Sequence, residues 1–281
     1  MISTVIPVHL RTNTDLSYLK RALGSLVAQN CRPSEVILSV DLCPDFSIFE
    51  KEIRAEFPEL NLIFLEHSKP LGISVNTNMG LSKVSDRYVH VLHQDDWLFE
   101  VDVYAHLSAV SQKYTREFFL LSGLRLGRIY RPHFDLTALV GNNQIGGPSG
   151  VFFPYSADLF FDQNLTMLLD VDFVFLLIKK LGTPKIIDKV CIEYGVSDDQ
   201  AQNLVTDSDF SNELVYIFGK HKIKSSHIAL YSLCTSDAEV VFSITHSVLR
   251  VPTNKLGILV VKSIRFLARV MLYLRRNRKK F

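Results

Sequence analysis

Along the first hundred residues, short apolar runs alternate with segments in which apolar positions return every three or four residues. "STVIPV" is strand-like, and "TDLSYLKRALGSLVAQ" sets Leu16, Leu19, Leu23, Leu26 and Val27 at helical spacing behind the polar starter Thr14. "EVILSV", "NLIFLE" and "RYVHVL" read as further strands, with "SIFEKEIRAEF" and "SVNTNMGLSKV" as the helices between them. This alternation predicts βαβ crossovers and a mostly parallel, twisted sheet. The second half is less regular: "EFFLLSG" and "SGVFFP" are strand-like, "DVDFVFLLIKKLG" is a helix ending at Gly182, and "SNELVYIFGKH" is another helix. No repeat or clear linker separates the halves, so one α/β domain is expected.

In parallel sheets of this kind, ligands bind beyond the carboxyl ends of the strands. His9, Arg11, Asp41 and the run His93–Asp96 follow strand patterns and should converge on one edge. In "YVHVLHQDDW" two carboxylates stand at the mouth of an apolar strand. They could cap a following helix, or hold a divalent cation against a diphosphate. Asp95 is the expected metal ligand and Asp96 the expected cap. Asp41 reads equally as an Asx turn before Pro44 or as an acceptor for a base or ribose. "LGISVNTNMG", with Gly72, Asn76, Asn78 and Gly80, is amide-rich for an ordinary amphipathic helix, which suggests a polar face lining a cleft.

Composition narrows the class. With 281 residues, 47% hydrophobic and 21% charged, the chain can bury a sizeable core. Its four cysteines form no CxxC pair, and the start "MISTVIPVHL" has no basic region followed by a long apolar stretch, so a secreted, disulfide-stapled or zinc-binding protein is not expected. The longest uncharged run, Leu136 to Ala157, contains "GNNQIGGPSG", a poor match to lipid, so no transmembrane helix is expected.

The net charge of +2 hides an asymmetry. The last acid is Glu239, and ten of the 31 Lys and Arg follow it, leaving 21 basic against 29 acidic residues before it, a net −8. In "KLGILVVKSIRFLARVMLYLRRNRKKF" the cations Lys262, Arg265, Arg269 and Arg276 recur at helical steps, with Ile258, Val261, Leu267, Val270, Met271 and Leu274 on the remaining surface. The pattern predicts a basic amphipathic helix in an anionic membrane interface, so the expected division is a domain at 1–250 and a membrane-associating tail at 251–281, with contact through 255–281. So large an apolar face argues against a nucleic-acid partner. Packing of that face on its own domain is the other reading.

"TVIPV", "SLVAQN", "EVILSVD", "LGISVNTNMG", "RYVHVLHQDDW" and "LLDVDFVFLLIKKLG" occur here in the order and spacing of family 2 glycosyltransferases with the GT-A fold, and the chain resembles that family over roughly residues 3–182. The likeness is to enzymes of bacterial surface-polysaccharide and O-antigen type. It implies a central sheet flanked by helices and a nucleotide-sugar donor held by Pro7, Val8, His9, Arg11, Asp41, Asn78, His93, Gln94 and Asp95. A divalent cation, Mn or Mg, would sit on Asp95. His93 stands where the family's first acid is usual, and its imidazole could favour Mn or contact the donor. By resemblance Asp170 is the general base with Asp172 in reserve, and Gly147, Pro148 and Ser149 border the acceptor. "GVSDDQAQN" has Gln200, but Ser197 stands where a His is usual, so no catalytic role is assigned there.

The expected activity is inverting transfer of a hexose or deoxyhexose to a lipid-linked glycan at the cytoplasmic face of the cell membrane, in lipopolysaccharide or related polysaccharide synthesis. The alternative is a catalytically silent nucleotide-sugar-binding or membrane-scaffold protein on the same fold. A nucleotidyltransferase would need a Gly-rich, basic loop after the first strand, and "IPVHLRTNTD" has no glycine.

Overall fold

The computed structural model describes residues 1–134, 143–196 and 207–222. The chain divides into two compact units, Met1–His133 with Ile145–Asn203, and Phe134–Gln144 with Leu204–Phe281.

The first unit opens as the sequence pattern predicts. Strands β1 (Ile2–His9), β2 (Glu35–Leu42), β3 (Leu62–Glu66) and β4 (Tyr88–Val91) alternate with helices α1 (Asn13–Val27), α2 (Phe46–Glu56) and α3 (Ile73–Leu81). They pair in parallel in the order β3-β2-β1-β4. The α1 stripe buries Leu19, Ala22, Leu23 and Leu26. Its cap is Thr12 rather than Thr14: Thr12 accepts from the Asp15 amide at 3.2 Å while Asp15 Oδ2 accepts from the Thr12 amide at 2.9 Å, a capping box. Gly80 lets α3 lie close on the sheet, since a Cβ there would meet Val5 Cγ1 at 2.5 Å.

The rest of the unit adds β5 (Trp97–Leu98), α4 (Val103–Lys113), β6 (Phe119–Arg125), β7 (Arg128–Tyr130), β8 (Val151–Pro154), α5 (Leu169–Leu181) and β9 (Lys185–Glu193). The path runs on as β4-β8-β6-β9-β5, with β7 on β6. β8 is antiparallel to both β4 and β6, and β9 is parallel to β6. β6 and β9 therefore point the same way as β1–β4, and the carboxyl end of β9 reaches the edge where β1, β2 and β4 finish. Because β8 runs backwards, the 3₁₀ turn that leads into it, Pro148–Gly150, arrives at that same edge.

An aromatic cluster ties the halves together. Tyr88 and Phe152 stack at 4.9 Å, and Phe119 lies 5.9 Å from Phe152. Phe173 of α5 stacks on Phe161 at 4.1 Å and meets Phe153 edge-on at 5.0 Å. Each such buried ring contributes roughly 1.5–3 kcal/mol by leaving water, and Phe173 fixes the first turn of α5.

In the second unit the described residues include one helix, α6 (Asp207–His221), with Leu214, Ile217 and Phe218 buried. The boundary expected at 250/251, the basic tail, Ser197 and Gln200 lie outside the described residues. No helix among the described residues is long and apolar enough to cross a membrane.

Candidate active site

The turn after β4 is sewn into place from three sides. Gln94 behaves as a short strand, its Oε1 accepting from the His9 amide at 2.8 Å and its Nε2 donating to the His9 carbonyl at 3.1 Å. From α1, Arg21 donates to the Asp95 carbonyl at 2.9 Å and lies 3.5 Å over the Trp97 ring, a cation–π contact worth about 0.5–1 kcal/mol at an exposed site. From the β8 turn, Ser149 Oγ accepts from the His93 amide at 2.9 Å and donates to Asp96 Oδ2 at 2.6 Å.

Asp96 caps no helix. Strand β5 follows it directly, α4 begins only at Val103, and its other oxygen accepts from the Gly195 amide at 2.8 Å. An acid that reads as a cap is thus a buried brace joining three chain segments. Burial and then the neighbouring charge of Asp95 push its carboxyl well above the usual range, against Ser149, Gly195 and Arg21.

His93, Asp95 and Asp96 each offer a donor atom within 4.8 Å of the other two. Asp96 has both oxygens engaged, whereas His93 Nε2 is covered and has no hydrogen-bond partner among the described residues. Burial holds the His93 imidazole below its ordinary pKa, against the pull of Asp95, which favours the neutral, ligating form. A covered nitrogen without a partner beside a carboxylate fits a divalent cation, and a nitrogen–oxygen pair suits Mn better than Mg.

On the neighbouring strands, His9 Nδ1 and Asp41 Oδ1 lie 2.7 Å apart, and Asp41 Oδ2 accepts from the Leu71 and Gly72 amides at 3.2 Å each. Asp41 closes no Asx turn; it holds the entrance of α3 and orients His9, whose ring is partly exposed. Pro7 and Val8 are buried strand residues, so a ligand would meet their backbone. Arg11 is exposed beside a cleft of about 410 Å³ walled by Leu10, Cys43 and Phe49.

The asparagines of α3 bond to backbone, and Asn76 Oδ1 is covered with no partner among the described residues. Asn78 donates to the Phe161 carbonyl and accepts from the Phe161 amide, both at 2.8 Å, and Asn76 Nδ2 donates to the Val8 carbonyl at 3.3 Å. Ser149 likewise spends its hydroxyl on His93 and Asp96, and Pro148 is buried beside it. Of the three acceptor candidates, Gly147, at φ 75°, borders open space.

Asp170 and Asp172 both lie buried in the first turn of α5. Asp170 Oδ1 accepts from the Val171 amide at 2.8 Å. The Tyr194 phenol, pushed up mainly by burial, also feels the charges of Asp96 and Asp170, and Tyr130 feels Asp170 as well. Asp170 thus shares surroundings with the strand-end cluster.

Tyr194 is a site residue that sequence reading passes over. Its ring fills a socket of glycines: a Cβ on Gly146 or Gly150 would meet its hydroxyl at 2.6 Å, and one on Gly123 would meet its ring at 2.4 Å. The Tyr194 and Tyr130 hydroxyls are covered and have no partner among the described residues. The available signal was "EYG" following the apolar alternation of β9, itself unread as a strand.

A strand-end cluster of this kind on a helix-flanked, mostly parallel sheet is the arrangement of the GT-A fold. The sequence profile described as glycosyl transferase family 2 matches residues 3–160, and the chain belongs to that family. Over 99 residues it is 30% identical to "Glycosyltransferase GlyA" of Streptococcus pneumoniae serotype 4, covering 34% of this chain and 13% of that protein. Among solved structures it is similar to S. aureus TarS, with a TM-score of 0.56 at 17% identity over 88% of this chain and 42% of that one. It also resembles TarS 1-349 in complex with UDP-GlcNAc, with a TM-score of 0.59 at 16% identity, covering 88% of this chain and 71% of that one. The chain spans less than half of the longer TarS structure and the GlyA match a smaller share still. The structural likeness establishes the GT-A fold.

Proposed function

We propose that this chain transfers a sugar from a nucleotide-sugar donor to a hydroxyl of a lipid-linked glycan, with inversion, at the cytoplasmic face of a membrane. The observation that carries the reading is the covered His93 Nε2 grouped with Asp95 at the strand ends, beside Tyr194, which feels the charges of both Asp96 and Asp170. The complexes of TarS with UDP and UDP-GlcNAc support a nucleotide-sugar as the donor class.

His9 and Asp41 would take the nucleoside, the Pro7–Val8 backbone would approach it, and Arg11 would lie at the rim. His93 and Asp95 would hold the divalent cation, which when bound offsets the charge that grows on the departing diphosphate. Asp170 takes the proton of the acceptor hydroxyl as that oxygen bonds to the anomeric carbon. The bond from that carbon to the diphosphate oxygen breaks with its electron pair, and the oxocarbenium-like charge is stabilised between the two groups of acids.

A panel of nucleotide-sugars screened for thermal stabilisation with Mn and with Mg tests the reading, because a tight ligand shifts stability by mass action. Asp95→Ala is expected to abolish the metal-dependent shift without unfolding the protein. Metal-dependent stabilisation that survives in the variant would remove Asp95 from the site.

A further inference from the structure

The β6–β7 hairpin carries two local costs that no ion pair among the described residues offsets. Arg125 pairs with Arg128 across a two-residue loop, Leu126–Gly127, with φ values of 51° and 72°. That is the type I′ geometry, which favours Asn-Gly; a bulky side chain at positive φ is an outlier. Two like charges directly opposite on paired strands repel. Leu126 is nevertheless 76% exposed and Ile129 55% exposed, with Arg125, Arg128 and Arg131 exposed around them. Those three arginines form no ion pair among the described residues, and no acid occurs from Phe118 to Phe134.

We propose that this hairpin docks on an anionic lipid surface, with Leu126 and Ile129 entering the interfacial layer and Arg125, Arg128 and Arg131 engaging the headgroup phosphates. A soluble polyanion would use the arginines and leave the exposed Leu126 without purpose, whereas a lipid surface uses both. The direction of β6 brings the tip out on the same edge as the turn His93–Asp96. The contact is independent of the transfer chemistry proposed above, since it needs neither donor nor metal.

Full-length protein is sedimented with phosphatidylcholine vesicles with and without phosphatidylglycerol. Leu126→Asn installs a residue that the turn favours, so its melting temperature should be equal or higher while vesicle binding falls. Arg125→Gln with Arg128→Gln should weaken binding to the anionic vesicles by roughly tenfold or more. The wild type has Trp97 as its lone tryptophan, so brominated lipids should quench Leu126→Trp beyond the wild-type level. Unchanged partitioning in both polar variants, or no added quenching at position 126, would overturn the proposal in favour of another segment of the chain. Equal binding of wild type and Leu126→Asn, alongside arginine-dependent binding to heparin, would overturn it in favour of a soluble polyanion.

Discussion

Gly195 and Asp95 meet backbone to backbone: a Cβ on Gly195 would lie 2.1 Å from the Asp95 carbonyl oxygen and 2.9 Å from its carbonyl carbon. The glycine is required there by space. The end of β9 can then press against the turn after β4 while the Gly195 amide serves Asp96. The position of the candidate metal ligand is thus set by a residue a hundred positions away in the chain.

Gly195→Ala should push the turn away from β9 and strain the Asp96 brace. The expected stability loss is about 1–3 kcal/mol, the usual cost of overpacking, with metal-dependent donor affinity reduced by more than that loss explains. Calorimetry of donor binding with and without Mn, beside chemical denaturation, separates the two effects. Wild-type affinity in a folded variant would show that the contact does not position Asp95.

The elements with local signals were legible in the sequence. The alternation over the first hundred residues predicts βαβ crossovers and a mostly parallel sheet, and β1–β4 pair in parallel. The strand-end rule likewise brings His9, Asp41 and His93–Asp96 to one edge. What stayed hidden depends on distant partners. Asp96 reads as a cap until Ser149 and Gly195 arrive from segments more than fifty residues away. The bonds that both ends of the Asn78 amide make to the Phe161 backbone have no local signal. In β9 the pattern "KIIDKVCIE" is broken by Asp188 and Lys189, and its pairing with β6 has register shifts, so a simple period-two search passes over it.

Asp170→Asn should lower the transfer rate by about 10²–10⁴-fold, the typical worth of a general base, while donor affinity stays near wild type. The amide keeps the shape and cannot take a proton. Asp172→Asn is expected to cost much less, since the charge of Asp170 reaches Tyr194 and Tyr130 beside the strand-end cluster. Single-turnover rates for both variants decide the assignment; a larger loss from Asp172→Asn reverses it.

Removing Lys255–Phe281 should weaken binding to anionic vesicles by on the order of 10³-fold, because each basic residue near such a surface contributes about 1 kcal/mol and half of the segment's cations suffice. Salt should erase the electrostatic part and leave the apolar part. Residual binding of the truncated form should then follow substitutions at Leu126. Sedimentation at low and high salt measures this, and undiminished binding would mean the tail is not the main anchor.

His90 makes stability depend on pH. Its Nε2–H donates to the Ser149 carbonyl at 2.8 Å, so its Nδ1, 2.8 Å from the Tyr104 hydroxyl, must accept, and that hydroxyl accepts in turn from Thr4 Oγ1 at 2.7 Å. With the imidazole neutral the donors run in one direction, and a second proton on Nδ1 would have to reverse both hydroxyls. Burial, opposed only by the Ser149 carbonyl, pulls the His90 pKa down to about 4 from an ordinary 6.5. Between those values the unfolded chain binds a proton that the native one refuses, so unfolding is favoured as pH falls. The contribution is intact above pH 6.5, declines through the window, and has lost about 3 kcal/mol by pH 4. Urea denaturation from pH 7.5 to 4.5 should show the decline, and His90→Gln, which gains no proton, should flatten it. Should that variant fail to fold, the His90 ring resonance followed by NMR in the wild type decides the matter: titration near 6.5 would refute the assignment.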